Sequence, residues 1–303
     1  MIYQVTFIQT ILINFGYKLY FFFRKGYQMT ISNKDLRKAQ LLMLKILKEV
    51  HKICEENNIK YFLSDGTLIG AIRHQGFIPW DDDLDIGMLR EDYEKFCKIA
   101  PQILSENFIL QNFQTDKGYG LQFGKVILKN TVWIEKVAKN TNRQWSGIYI
   151  DIFPYDNITE NKKMQKLINR LYIFIQGLIL IKFKYINISN YESMAKKLKY
   201  VLKKIYLCTI SKKLLIYIRD SICKRYLNKS KTLVTKYGGN FYKNQNPYNF
   251  YKNLTLQNFE DTSFYIPKNY DKILKNLYGN YMEIPPIEKQ RQHGIEYFDF
   301  GNY

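Results

Sequence analysis

The sequence predicts a mixed α/β protein of the α+β type, with a small twisted sheet, helices around it and a basic helical insertion on one side. Three observations predict this. Apolar and polar residues alternate around Asp83–Met88 and again through Ile148–Phe153, which is strand spacing. The apolar positions Leu36, Ala39, Leu42, Met43, Ile46, Leu47, Val50 and Ile53 recur at helical spacing. Residues 161–230 hold most of the positive charge and contain the helix-period stretches Met194–Tyr206 and Leu214–Leu227.

Taken in order, residues 1–28 are largely apolar but contain Gln4, Gln9, Asn14 and Lys18, with neither a basic leading region nor a small-residue cleavage site. They do not read as a signal peptide. The expectation is a peripheral membrane anchor, or an extension ahead of a start at Met29. Ser32 or Asn33 can cap the first helix. A short apolar run from Ile59 to Leu63 then leads into Ser64-Asp65-Gly66-Thr67, read as a turn, and Leu68–Arg73 can open a second helix. A strand, a tight glycine turn and a helix N-terminus together offer N–H groups and a positive dipole end to a phosphate. Gly66 allows close backbone approach, and Arg73 and His74 add cationic or donor groups.

Ser64–Arg90 is the only densely acidic segment of a chain with formal net charge +19. With Asp83–Met88 as a strand, Asp83 and Asp85 project from one face, Asp81 extends the row, and Leu84 and Ile86 turn into the core. Carboxylates crowded on one edge suit a hard cation that carries substrate phosphates, Mg2+ first and Mn2+ as the alternative. A calcium loop is the rival reading, but Ile86 stands where that loop needs glycine and Asp92 where it needs glutamate. A solvated acidic turn is opposed by the apolar Phe77-Ile78-Pro79-Trp80 beside it. Asp151, between Ile150 and Ile152, leaves its strand on the face opposite to them. Burying it alone is costly, so either a shared metal or a Lys or Arg partner has to offset it.

At 303 residues and 46% hydrophobic content the chain can hold one large or two modest domains. Cys54, Cys97, Cys208 and Cys223 show no Cys-x-x-Cys spacing, which fits a reducing cytoplasm. Residues 161–230 carry seventeen Lys and Arg against Glu192 and Asp220, so +15 of the +19 lies there. The apolar run Leu171–Ile181 within them is shorter than the roughly 20 residues a membrane span needs. These residues read as an inserted helical subdomain whose basic face suits an anionic membrane surface, on the inner side of the cell membrane, or a lipid-linked acceptor. The expected organisation is the extension over 1–28, a catalytic core over 29–160, the insertion over 161–230, and the rest of the core over 231–303.

The run from Asp65 to Met88, with Asp65-Gly66-Thr67-Leu68-Ile69-Gly70 at its start and Trp80-Asp81-Asp82-Asp83-Leu84-Asp85 near its end, resembles the signature of the LicD family, which includes fukutin and fukutin-related protein. Lys125-Val126-Ile127-Leu128, Gly147–Pro154 and Leu277–Met282 with Pro285-Pro286 resemble further pieces of it, in order. The likeness covers Met29 to about Pro154 and Phe259 to about His293. It implies a nucleotidyltransferase-like fold that moves a phospho-alcohol from a CDP-alcohol donor to a glycan. In bacteria the group is typically phosphocholine and the acceptor lipopolysaccharide, capsule or teichoic acid; in the animal relatives it is ribitol phosphate. Carried over by residue, Asp83 and Asp85 match the metal pair, Asp151 a third carboxylate, and Gly66-Thr67 the donor-phosphate turn. Asp65 departs from the pattern, where a smaller residue is expected.

On that basis Asp81 is the candidate general base, and Arg73, His74, Lys125, Arg291 and His293 are candidates for the donor phosphates. Trp80, Trp145 and Tyr149 are candidates to hold a quaternary ammonium head group through their ring faces. Two other classes stay open: transfer of the nucleotide itself to a small molecule or RNA end, and a noncatalytic nucleic-acid-binding protein. The last needs a stacking platform and has no use for clustered aspartates, so a nucleic-acid partner is not expected.

Overall fold

The computed structural model describes residues 31–227, 229–238, 241–290 and 292–303. The extension over 1–28, the start at Met29 and Arg291 lie outside the described residues. Helix α1 (Asn33–Glu56) begins at Ser32, whose Oγ accepts a hydrogen bond from the backbone N–H of Asp35 at 3.1 Å. That bond satisfies one of the helix's orphan donors. Its periodic apolar positions Leu36, Ala39, Met43, Ile46, Leu47, Val50 and Ile53 are buried against the main core.

The chain continues through β1 (Phe62–Leu63), α2 (Asp65–Arg73), β2 (Asp85–Leu89), α3 (Arg90–Ile103), β3 (Phe108–Gln111), β4 (Gly124–Leu128), β5 (Val132–Glu135) and β6 (Tyr149–Ile158). The central sheet runs β1-β2-β6-β4-β3. Only β2 and β6 pair in parallel; the other pairs are antiparallel, so the sheet is mixed, with helices around it. This is the expected α+β, nucleotidyltransferase-like architecture. Parallel neighbours in register put side chains on the same face, and here Asp85 stands opposite Asp151. Lys125 stands opposite Asp151 on the other side.

Two local expectations change. The strand begins at Asp85 rather than Asp83, its first ladder bond running from Asp151 N–H to Leu84 O at 2.9 Å. Asp83 therefore approaches from the segment before the strand, and strand alternation does not align it with Asp85. Ser64-Asp65-Gly66-Thr67 is no separate turn either; Asp65 to Thr67 form the first turn of α2, with Ser64 as its N-cap.

Beyond β6 come α4 (Lys162–Lys182), α5 (Met194–Cys208) and α6 (Lys212–Cys223). They bury a second apolar cluster that includes Ile168, Tyr172, Ile179, Leu207, Leu215 and Tyr237. Helix α4 is 21 residues long and, among the described residues, is apolar enough by length and composition to cross a membrane, where its apolar run alone looked too short. Yet 56% of its most apolar stretch is buried inside the protein, and the buried face includes Gln165, Asn169 and Gln176. That pattern is a core helix's.

The chain then returns through β7 (Leu233–Thr235), β8 (Asn246–Pro247), α7 (Tyr248–Lys252), the hairpin of β9 (Leu254–Phe259) and β10 (Thr262–Pro267), α8 (Tyr270–Tyr278) and β11 (Ile295–Asp299). β7 pairs with the far half of β6, and β11 with β5. The hairpin docks through Glu260, which accepts from Phe77 N–H at 3.0 Å and pairs with Arg37.

The long strand β6 is fixed at its far half by a buried bidentate pair. Arg90 Nε and Nη2 donate to the two carboxylate oxygens of Asp156 at 2.7 and 2.8 Å. Removing one partner strands the other charge in the core. Asp156→Ala is expected to cost about 3–5 kcal/mol in urea unfolding, whereas the double change Arg90→Met with Asp156→Leu should cost far less.

Candidate active site

Six aspartates converge where α2, the segment before β2, and β6 meet. Asp81, Asp82 and Asp151 are buried, and Asp83 and Asp85 are partly open. Asp65 completes the group from the first turn of α2. Two small contacts set the geometry. Thr67 Oγ1 accepts from the backbone N–H of Asp85 at 2.8 Å, tying the start of β2 to the helix. A Cβ on Gly66 would lie 2.8 Å from Asp81 Oδ2, so only glycine lets the aspartate pack there without a shift.

Crowding shows in the acidities. Burial, followed by the charges of Asp83, Asp65 and Asp151, raises Asp85 well above the ordinary carboxylate range. Burial and the neighbouring Asp83 and Asp82 do the same to Asp81. Burial also raises Asp83, with the charge of His293 pulling the other way. Asp151 is pushed up to about 6, burial outweighing the nearby Lys125.

Cations from distant parts of the chain answer these charges. Lys125 is buried, with Nζ 2.8 Å from Asp151 and 3.9 Å from Glu135. Lys236 pairs with Asp65. His293 donates its backbone N–H to Asp82 at 2.9 Å, and its Nδ1 lies 2.8 Å from Asp82 and 3.4 Å from Asp83. Burial opposes charging of that ring, but Asp83 and Asp82 outweigh it and raise the imidazole well above its ordinary value.

Several candidate phosphate ligands are thus already engaged. Arg73 donates through Nη1 to the carbonyl oxygens of Tyr281 and Glu283 at 2.7 and 3.0 Å, and through Nε to His74 Nε2 at 3.0 Å. It pins the C-terminal segment to α2. Burial and the adjacent guanidinium lower the His74 pKa, so that ring is a neutral acceptor and no cation for a phosphate. Lys125 and His293 serve the carboxylates. Thr67 and Gly66 hold aspartates in place.

Of the aromatic candidates, Tyr149 is buried with Lys125 Nζ 3.1 Å above its ring centre, so the face meant for a head group is occupied. Trp80 and Trp145 are partly buried against the main core, and Trp80 meets the His74 ring edge-on at 6.3 Å. Sequence reasoning missed Lys236, Glu135, Arg143 and the anchoring role of Asp82. Lys236 sits in Lys-rich surroundings that hide it, while Arg143 has a buried Nε with no hydrogen-bond partner, beside Tyr185 and Glu135. Nothing in its local sequence singles it out.

Among the described residues, no three His, Cys, Asp or Glu side chains are drawn together as a closed metal-ligand set. The chemistry of the donor set nevertheless fits a hard cation. The side-chain carboxylate of Asp85 has no hydrogen-bond or ion-pair partner among the described residues, stands in register with Asp151, and is held far from its ordinary acidity by burial and neighbouring carboxylates.

The family profile described as "LicD/FKTN/FKRP, nucleotidyltransferase domain" matches residues 58–187, which contain all of these aspartates. The lipopolysaccharide cholinephosphotransferase LicD of Haemophilus influenzae is 30% identical over 266 residues, covering 86% of this chain and 96% of that protein. The chain belongs to the LicD family. Shorter likenesses to this LicD-family chain include an uncharacterized protein of Rickettsia typhi, 51% identical over 65 residues, covering 22% of this chain and 21% of that one. The human ribitol 5-phosphate transferase FKRP is 45% identical over 40 residues, 13% of this chain and 8% of that protein. The named relatives are transferases of phospho-alcohols, one carrying phosphocholine and the other ribitol 5-phosphate.

Asp85 allows a test that needs no substrate. Its folded-state pKa is raised, so ionising it destabilises the fold at pH values above its unfolded pKa, and stability returns as pH falls through the raised value. In EDTA, Asp85→Asn should melt above wild type at pH 7.5. The gap should close as the pH is lowered. A variant that melts below wild type at both ends would mean the carboxylate is a net stabiliser.

Proposed function

We propose that this chain transfers a phospho-alcohol, phosphocholine first, from a CDP-alcohol to a hydroxyl of a cell-surface glycan and releases CMP. The acceptor class is lipopolysaccharide, capsule or teichoic acid, free or lipid-linked. The observation that carries this reading is the full-length similarity to a cholinephosphotransferase, joined to the register of Asp85 with Asp151 at the centre of a carboxylate cluster.

In the proposed reaction the acceptor hydroxyl attacks the distal phosphorus, a new P–O bond forms, and the bond from that phosphorus to the bridging oxygen breaks, so CMP leaves with that oxygen. The hydroxyl proton passes to a carboxylate. Asp81, buried beside these carboxylates and raised well above the ordinary carboxylate range, is the candidate to take it. Asp83, Asp85 and Asp151 would hold Mg2+, which when bound supplies charge neutralisation for the diphosphate. Lys125 keeps Asp151 in place, and Lys236 does the same for Asp65. Arg143, with its unpartnered Nε, replaces Arg73 as the side chain for a donor phosphate. Transfers of this kind depend on alignment and charge stabilisation, which is what a rigid strand pair offers.

The deciding experiment incubates the enzyme with CDP-choline, CDP-ribitol and CDP-glycerol and measures CMP. Release from CDP-choline above the other two is expected, and it should stop in EDTA. Asp85→Asn should lower it by more than about tenfold while the circular dichroism spectrum is kept. Nucleotide found on the acceptor, with no CMP freed, would instead establish nucleotidyl transfer.

Head-group choice has its own test. With the Tyr149 face occupied by Lys125, Trp80 and Trp145 are the rings left to meet a quaternary ammonium, and Trp80 adjoins Asp81 in the chain. A well-placed ring adds about 0.5–2 kcal/mol. Trp80→Leu should therefore lower use of CDP-choline several-fold more than use of CDP-ribitol in direct competition. Equal loss for both donors would remove Trp80 from the head-group site.

A further inference from the structure

Helix α5 carries its apolar face on the wrong side for a core helix. Met194, Leu198, Leu202 and Ile205 are 77, 61, 57 and 62% exposed, and Val201 is 37% exposed. At about 100° per residue these five positions fall within roughly a 100° arc of the helix. Tyr200 and Leu207, the only residues of α5 that are buried, lie on the opposite side and attach the helix to the second apolar cluster. The stripe therefore points away from the protein.

Its flanks carry lysines. Lys199 falls nearest one edge of the arc and Lys197 and Lys204 nearest the other, with Lys196 and Lys203 further round towards the attached side, and no acidic residue occurs between Met194 and Cys208. The helix lies in the segment that holds +15 of the chain's +19. An outward stripe of aliphatic side chains between two lysine edges is the pattern of a helix that lies in the plane of a membrane interface, apolar face down and cations at the headgroups. A second copy of the chain would bring the same positive charge against it. A nucleic acid would want stacking rings where Leu, Ile, Val and Met stand.

We propose that the outward face of α5 docks on the surface of an anionic lipid bilayer, lying on it without crossing. This goes beyond the transferase reading and does not depend on it. The reach of α5 would hold the catalytic sheet beside the membrane, where lipid-linked glycans are met.

The test uses the full chain with sedimenting phosphatidylcholine vesicles, with and without phosphatidylglycerol. Wild type should bind the anionic vesicles, and the binding should weaken steeply with salt, since each cation near such a surface strengthens binding roughly five-fold. The triple change Leu198→Asn, Leu202→Asn and Ile205→Asn alters only exposed positions and should keep the melting temperature. It should weaken vesicle binding by more than about tenfold. Lys197→Glu with Lys204→Glu should weaken it likewise, with the loss largest at low salt. Undiminished binding by the triple variant would place attachment on another part of the chain and overturn the proposal. So would equal, salt-independent binding of wild type to neutral and anionic vesicles, or a triple variant that changes the oligomeric mass and leaves vesicle binding intact.

Discussion

The parallel pairing of β2 with β6 is the constraint around which the rest of the molecule is arranged. It sets Asp85 beside Asp151 on one face of the sheet and cannot be relaxed without moving the strand that joins both halves of the core. At an effective dielectric of about 20, two like charges about 5 Å apart repel by about 3 kcal/mol. Asp65, Asp81, Asp82 and Asp83 add to that burden. The fold meets part of it with a cation for each of Asp65, Asp82 and Asp151, while the Asp85 carboxylate makes no ion pair among the described residues and feels Lys236 only at a distance.

Charged side chains near the site divide by what holds them. Arg73 looked like a phosphate ligand because it follows a glycine-containing helix start, yet backbone carbonyls and His74 take its donors. A guanidinium spent on carbonyls fixes two chain segments together at fixed distance, and the gain is positional. Arg143 is the reverse case. Its Nε is buried without a partner, which is costly unless something else satisfies it.

Much of the core was legible because its signals are local. The helical spacing of Leu36 to Ile53 became α1, with Ser32 as its cap, and the alternation of Ile148 to Phe153 became the first half of β6. The aspartate cluster was legible for the same reason, since four of its members lie within Asp81–Asp85. Misreadings arose where a tertiary contact decided the outcome. Strand alternation extended two residues too early because pairing with β6 starts at Asp85 opposite Asp151, 66 positions later, and sequence spacing carries no trace of where that pairing begins. The cations were hidden for a related reason. Lys125, Lys236 and His293 reach their aspartates across the chain, and in a protein with 46 Lys and Arg no single lysine stands out. Tyr149 was placed correctly on the strand face, but its ring serves Lys125.

The scattered origin of those cations imposes an order of assembly. By the time a ribosome has released the first 160 residues, every aspartate of the cluster is present, together with Lys125. Lys236 and His293 have yet to be made. A nascent chain at that stage has the strands it needs to pair β2 with β6 but lacks two of the three countercharges, so the closed sheet is penalised until synthesis is nearly finished. The C-terminal segment, clamped by Arg73 and Asp82, is thus what completes the sheet's electrostatics.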